Sequence, residues 1–163
     1  MKRRTLLASL GVGSATVAGI GAVKLTSKTQ PEYLKDKRVV YERDDLTLEV
    51  IQDSIRVGEE VVFQVTNTGD SRTVLGCHNP WAIQRHSNGA WQLIAWTSEK
   101  YYQMCATALS PGSTLEESIE LSKSGLKEQA GTIQSELRSG QYRFLIIGTS
   151  PVLAIDFDVL DSE

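Results

Sequence analysis

The sequence predicts an all-β domain, a two-sheet antiparallel sandwich of about seven strands, behind an N-terminal apolar helix that is an export signal or membrane anchor. Three observations lead to this prediction. Apolar and polar residues alternate through much of the chain after residue 46, turn signals separate the alternating segments, and residues 5–23 carry no charge. Strict alternation buries one face of a strand and leaves the other in water, which is typical of antiparallel sheets.

The N-terminal segment has the pattern of an export signal. Lys2, Arg3 and Arg4 precede the uncharged stretch, and a cationic head before an apolar core directs secretion. The stretch also reaches the length that crosses a bilayer, for which roughly 17–25 residues suffice. If it is retained, the positive head keeps the N-terminus cytoplasmic and the domain outside. We therefore expect an extracytoplasmic protein, either secreted or anchored to the outer face of the cytoplasmic membrane.

The run K-R-R-T-L-L at 2–7 resembles a twin-arginine translocation signal, in which paired arginines are followed by one variable residue and two large apolar residues. The resemblance implies that the protein is exported already folded and that Arg3 and Arg4 are the residues recognised by the export machinery. The alternative is an ordinary secretory signal whose basic head contains two arginines.

Charge and composition limit the function and the domain organisation. The whole chain carries −3, and its first 24 residues hold four basic and no acidic residues, so the remainder carries −7. Nucleic-acid binding needs a basic face, so no nucleic-acid partner is expected, and membrane contact is expected only through the N-terminal segment. Residues 1–24 are thus the export signal or anchor. Residues 25–45 have balanced charge and no apolar periodicity, which predicts a polar linker, although residues 33–41 could form a short first strand. The folded domain is predicted at 46–160.

The strands are predicted where apolar residues recur at every second position, around 46–50, 61–65, 115–121, 142–146 and 153–159. Trp81, Trp91 and Trp96 lie in two more strands, which Asn88-Gly89 would join as a tight hairpin because both residues tolerate positive φ. One or two of these tryptophans are expected to fill the core, and the alternative is an exposed aromatic platform. Residues 122–134 fit no strand and are predicted to form a loop or one short helix. A closed barrel is the alternative to the sandwich.

Four segments resemble the Ig-like β-sandwich domains of bacterial and archaeal secreted proteins. They are V-G-E-E-V-V-F-Q-V-T-N at 57–67, W-A-I-Q-R at 81–85 with N-G-A-W at 88–91, L-S-P-G-S at 109–113, and L-R-S-G-Q-Y-R-F at 137–144. The resemblance covers most of 46–160 and implies Tyr142 as a tyrosine corner. The family shares no catalytic site, so the likeness implies a fold and an extracytoplasmic setting.

Cys77 and Cys105 are the only cysteines, and an even count in an exported chain predicts a disulfide. By closing a loop it would raise the free energy of unfolding by about 3–4 kcal/mol, as expected from the reduced entropy of the unfolded chain. A blue-copper site is the alternative use of Cys77, His78, His86, Met104 and Cys105, but no histidine follows Cys105 and the neighbouring ligands would point to opposite faces of a strand. We therefore expect no metal and no cofactor.

The sequence contains no nucleophile elbow, zinc-protease motif, P-loop or dinucleotide fingerprint, so no enzyme activity is expected. The predicted function is a non-catalytic interaction or structural module that meets a protein partner of the cell envelope through its loops or an edge strand. The alternatives are a cupredoxin-like metal or redox protein and a carbohydrate-binding module. Residues 97–110 are the predicted binding loop, with Trp96, Tyr101, Tyr102 and Met104 as its contacts, because aromatic residues and methionine are enriched at interfaces.

Overall fold

The computed structural model describes residues 34–75, 81–97, 106–130 and 132–162. These residues form one helix and twelve strands, several of them only two residues long. In chain order the elements are β1 (Val39–Val40), β2 (Leu46–Val50), β3 (Ile55–Arg56), β4 (Glu60–Asn67), β5 (Thr73–Val74), β6 (Trp81–Ser87), β7 (Ala90–Trp96), β8 (Ala108–Leu109), β9 (Thr114–Glu120), α1 (Lys123–Ala130), β10 (Thr132–Ile133), β11 (Gly140–Ile146) and β12 (Val152–Leu160).

The described part of the chain is mostly β and contains three sheets. The largest has the order β1-β12-β11-β6-β7-β10, with β3 also paired to β12, while β2-β4-β9 and β5-β8 form the other two. The predicted all-β class is therefore confirmed. The pairing is antiparallel except that β1 and β3 both run parallel to β12, a detail that the alternation pattern cannot reveal.

The two larger sheets share one apolar core. Phe63 on β4 stacks on Phe144 on β11 with ring centroids 3.9 Å apart and planes 5° apart, and Phe157 on β12 meets Phe63 edge-on at 5.2 Å. The Trp81 indole N–H donates to Oε1 of Glu117 at 3.0 Å and so joins the large sheet to β9. Each inward-facing residue alternates with an outward-facing one, so the core also determines which side chains reach the outer surface.

The hairpin between β6 and β7 forms where it was predicted. Asn88 and Gly89 make the turn, with φ of 52° and 76°, and this left-handed conformation matches the twist of the paired strands. A bulge lies between Ile83 and Gln84, where the register of β6 on β7 shifts. Trp81 and Trp96 are buried, as expected for core tryptophans, whereas Trp91 is half-buried.

Tyr142 forms the tyrosine corner that the Ig-like resemblance implies. Its ring is fully buried, and its hydroxyl donates to the Arg138 carbonyl at 2.6 Å and accepts from the Arg138 N–H at 3.1 Å. The side chain thereby pins the segment that leads into β11 against the core. Of the loop and the short helix that were the alternatives for 122–134, the structure contains the helix, α1, which begins after Ser122, whose Oγ accepts from the Gly125 N–H at 2.9 Å.

The predicted linker, 25–45, is described only from residue 34 onward, and this part joins the fold. Leu34 is buried, and Val39 and Val40 lie opposite Val152 and Leu153 of β12. The short first strand is therefore what the structure contains: Leu34 and Val39 pack in a second apolar cluster, and Val40 packs against the main core. Within the described ranges no helix is long and apolar enough to cross a membrane. The predicted export segment, with Arg3 and Arg4, lies outside those ranges.

Candidate functional site

The outer face of the large sheet is divided into an apolar half and a polar half. The apolar half is a second buried cluster, made by Leu34, Ala82, Trp96, Leu145, Ile147, Val152 and Ala154. Further along the same strands the outward positions become polar, with Gln84 and His86 on β6, Arg143 on β11 and the exposed Asp156 and Asp158 on β12. At the boundary between the two halves, side chains contact buried neighbours on one side and solvent on the other.

Five residues at this boundary form a connected group, which we call the Arg143 patch: Tyr41, Gln84, His86, Trp91 and Arg143. The Arg143 Cζ lies 4.4 Å from the centroid of the Trp91 ring. Its Nε donates to Oε1 of Gln84 at 2.5 Å, and its Nη1 donates to the Tyr41 hydroxyl at 3.3 Å. The His86 ring centroid is 5.1 Å from that of Trp91, with the planes 59° apart. The patch thus crosses the sheet from the end of β1 to β7.

The register explains why these residues meet. Arg143 lies opposite Gln84, and His86 lies opposite Trp91, so all four occupy the same outer face. Arg143 follows Tyr142 and precedes Phe144, both in the core, and alternation therefore directs it outward. Gln84 is only 8% exposed, which fixes the position of the oxygen that holds the guanidinium. A cation over an indole face gains about 0.5–2 kcal/mol, and this favours the same orientation.

Arg143 keeps unused donor capacity. A guanidinium has five N–H donors, and the described contacts use one on Nε and one on Nη1. Asp156 is its register partner on β12, yet no ion pair forms between the two in the described part of the chain, because the guanidinium leans the other way, toward Trp91. The patch therefore presents an oriented guanidinium with donors to spare and, among the described residues, no ion pair.

Beside the patch, β7 has an open edge. Strand β10 pairs with Ala95 and Trp96, and the Gln134 N–H reaches the Ile94 carbonyl at 2.8 Å, whereas residues 90–93 pair with β6 alone among the residues that the structure describes. In a two-residue hairpin the two residues that flank the turn, here Ser87 and Ala90, hydrogen-bond to each other through their backbones. The backbone N–H and C=O of the next residue, Trp91, therefore point away from β6, toward the open edge. The sequence A-W-Q-L at 90–93 carries no charge.

The edge formed by β9 is guarded by contrast. The Gln129 side chain on α1 donates from Nε2 to the Ser118 carbonyl at 2.9 Å and accepts from the Glu120 N–H at 3.2 Å. One amide side chain therefore occupies two of the backbone groups that another strand would use at the end of β9. Glu116 and Glu120 add negative charge to the same strand, a common way of discouraging edge pairing.

The predicted contact residues fall in different places. Trp96 is 8% exposed and packs in the second apolar cluster, so in the described structure its ring offers little surface to a ligand. Tyr101, Tyr102 and Met104 lie outside the described ranges, as do Cys77 and Cys105 with their predicted disulfide, and these remain predictions. Within the described ranges no group of three histidine, cysteine or acidic residues could hold a metal ion.

The sequence reasoning missed Arg143 as a site residue. Its outward direction could have been read from its position between Tyr142 and Phe144, but its neighbours could not. Trp91 lies on β7, which is separated from β11 by β6. Only this strand order brings the indole under the guanidinium.

No protein-family model matches this chain, and no curated protein matches it. Several solved structures show distant likenesses. FlaG, the archaellum periplasmic stator protein from Sulfolobus acidocaldarius, has a TM-score of 0.37 at 17% identity, over 69% of this chain and 99% of that chain. The alkylpurine DNA glycosylase AlkC of Pseudomonas fluorescens has 0.37 at 13% over 71% of this chain, and a β-glucosidase from Listeria innocua has 0.37 at 17% over 71%. This chain spans only 30% of the glycosylase and 16% of the glucosidase. At such scores these likenesses carry no functional argument.

Proposed function

We propose that this protein is a non-catalytic interaction module outside the cytoplasmic membrane, free or tethered by its N-terminal segment, which binds a protein partner of the cell envelope through the open edge of β7. The observation that carries the proposal is the contrast between the two edges. Gln129 and two glutamates guard β9, whereas residues 90–93 of β7 are uncharged and, within the described ranges, paired on one side only. An unguarded edge is a template for an added strand, a common mode of peptide recognition.

The strand order supports an Ig-like sandwich as the frame. The order β2-β4-β9 corresponds to strands A-B-E of such sandwiches, and β12-β11-β6-β7 corresponds to G-F-C-C′. Tyr142 then occupies the expected place of the tyrosine corner, near the start of the sixth principal strand. In this frame β7 is the last long strand of its sheet, with only the two-residue β10 beyond it. Tyr101, Tyr102 and Met104 are predicted to belong to a loop that begins where β7 ends.

The extracytoplasmic location rests on the N-terminal sequence and can be tested by itself. Replacing Arg3 and Arg4 together by lysine keeps the positive head that a general secretory route requires. If the twin-arginine route is used, export should stop and the unprocessed chain should collect in the cytoplasm, as fractionation and immunoblotting would reveal. Unchanged export of the Lys-Lys variant would reject the twin-arginine assignment and leave the extracytoplasmic location standing.

The carbohydrate-binding alternative is less favoured by the geometry. Sugars stack on an open aromatic face, but the guanidinium of Arg143 covers one face of Trp91 and His86 lies beside it. Trp81 and Trp96 are buried. In the described residues the tryptophans therefore support other side chains, and the aromatic platform would have to come from the predicted loop.

Site-specific photo-crosslinking in exporting cells tests the proposed function. A photoreactive phenylalanine analogue replaces Gln92, which is exposed on the open edge, and a matched variant carries it at Ser118, which is exposed on the guarded edge. Irradiation should give an adduct of discrete mass from position 92 and none from position 118. Equal adducts from both positions, or none from position 92 in correctly exported protein, would overturn the proposed use of this edge.

A further inference from the structure

We propose that the Arg143 patch binds a carboxylate group of the protein partner, carried on an extended segment whose flanking residues are neutral or basic. This inference rests on the proposed function and names the chemistry that the partner brings to it. It starts from the donors of Arg143, three of which have no acceptor in the described structure. A planar carboxylate accepts two parallel N–H bonds from a guanidinium, and this geometry gives both strength and orientation.

The patch is organised before any ligand arrives. The Gln84 Oε1 accepts from Nε, the Tyr41 hydroxyl accepts from Nη1, and the Arg143 Cζ lies over the Trp91 ring. A free arginine side chain loses considerable rotamer freedom when it binds, and here the folded protein has already restricted it. The contacts leave the Nη2 side of the fork available, so an incoming carboxylate meets donors that are already oriented.

The charges around the patch limit the kinds of ligand that it can bind. Asp156 and Asp158 are exposed on the neighbouring strand β12, on the same outer face as Arg143. They would repel a polyanion such as nucleic acid, while a single carboxylate can reach the guanidinium, which leans away from them toward Trp91. The negative net charge of the chain also repels a polyanion. The ligand is therefore one acidic side chain among neutral or basic residues.

The test uses two blocked peptides, Ac-Thr-Val-Glu-Val-Thr-amide and its isosteric partner with glutamine at the centre. Nuclear magnetic resonance of the full chain follows the Nε–H signal of Arg143 and the indole N–H signal of Trp91 during titration. The glutamate peptide should shift both signals and bind at least about tenfold more tightly than the glutamine peptide. Arg143→Gln should abolish that preference, and Arg143→Lys should reduce it because lysine lacks the planar fork.

The matched control is Arg72→Gln, which removes the same charge from an exposed arginine far along the chain from the patch. It should leave the peptide affinity unchanged, and the thermal melting of every variant verifies that it is folded. Equal binding of the two peptides, or a preference that survives Arg143→Gln, would overturn the inference. Inorganic phosphate that competes as well as the glutamate peptide would also overturn it, since the patch would then be a general anion site.

The two proposals fail separately. A crosslink at position 92 without any preference for the glutamate peptide would retain the edge interaction and reject the carboxylate site. A glutamate preference that depends on Arg143, without a crosslink at position 92, would retain the carboxylate site and reject the edge.

Discussion

Removal of one hydroxyl, by Tyr142→Phe, should measure how much the tyrosine corner stabilises the fold. The ring is fully buried and approaches Phe157 with centroids 5.8 Å apart, so phenylalanine keeps the packing. What disappears is one bond donated to the Arg138 carbonyl and one accepted from the Arg138 N–H. At about 1 kcal/mol for each bond, with part of the desolvation cost of the partly buried Arg138 groups added, we expect a loss of about 2–3 kcal/mol.

Urea denaturation of the full chain, followed by circular dichroism, measures this loss as a lower midpoint with an unchanged slope. Tyr41→Phe is the matched control because Tyr41 is 50% exposed and its hydroxyl takes part in a single bond of 3.3 Å. We expect the control to change the free energy of unfolding by less than about 0.5 kcal/mol. A Tyr142→Phe loss no larger than that of the control would refute the argument that the corner holds the entry to β11.

Three further changes have expected outcomes. Asn67 is fully buried and donates to the Ser71 and Leu109 carbonyls at 2.8 Å each, so Asn67→Ala should lower the free energy of unfolding by about 2–4 kcal/mol in urea titrations, and a loss below about 1 kcal/mol would contradict this. The Arg43 side chain, which donates to both carboxylate oxygens at 2.6 and 2.8 Å, lowers the pKa of Asp45. A carboxyl group with a lowered pKa stabilises the fold fully at pH values above its ordinary pKa of about 4, and this stabilisation is lost as the pH falls through the pKa of the folded state. The free energy of unfolding of Asp45→Asn should therefore fall less steeply with decreasing pH than that of the wild type. The same pH dependence in both proteins would contradict the pairing. Mass spectrometry after non-reducing digestion of the exported protein should find the peptides of Cys77 and Cys105 linked, and reduction should lower the unfolding midpoint while the β spectrum persists; two freely alkylated thiols would contradict the disulfide.

The sequence was informative where a local pattern determines structure. Alternation identified β2, β4, β9, β11 and β12, and the Asn-Gly pair identified the hairpin, because side-chain direction and turn conformation depend on neighbours in the chain. The Ig-like resemblance led to Tyr142, whose hydroxyl bonds only four residues back. Residues 122–134 break the alternation, which predicted a loop or one short helix there, and the structure contains the helix.

The site depended on contacts that are distant in the chain. Arg143 meets Gln84 and Tyr41, which precede it by 59 and 102 residues, so no local pattern could show that the guanidinium is held. The short parallel pairing of Val39 and Val40 with β12 was similarly hidden, since two residues show no period. Trp96 was expected either in the core or among the binding contacts, and only the order of the strands shows that it packs in the outer cluster.

The bond between Gln129 and β9 gives α1 an influence on solubility. The helix has only eight residues, and Gly125 allows it to sit close to Glu120, where a Cβ at that position would lie 2.6 Å from the glutamate Cβ. So short a helix can open locally at a lower free energy than the whole domain. Each opening frees the Ser118 carbonyl and the Glu120 N–H and turns a capped edge into one that can pair with another molecule. Self-association through the β9 edge during storage or heating should therefore depend on the opening of this one helix, which can precede the unfolding of the whole domain.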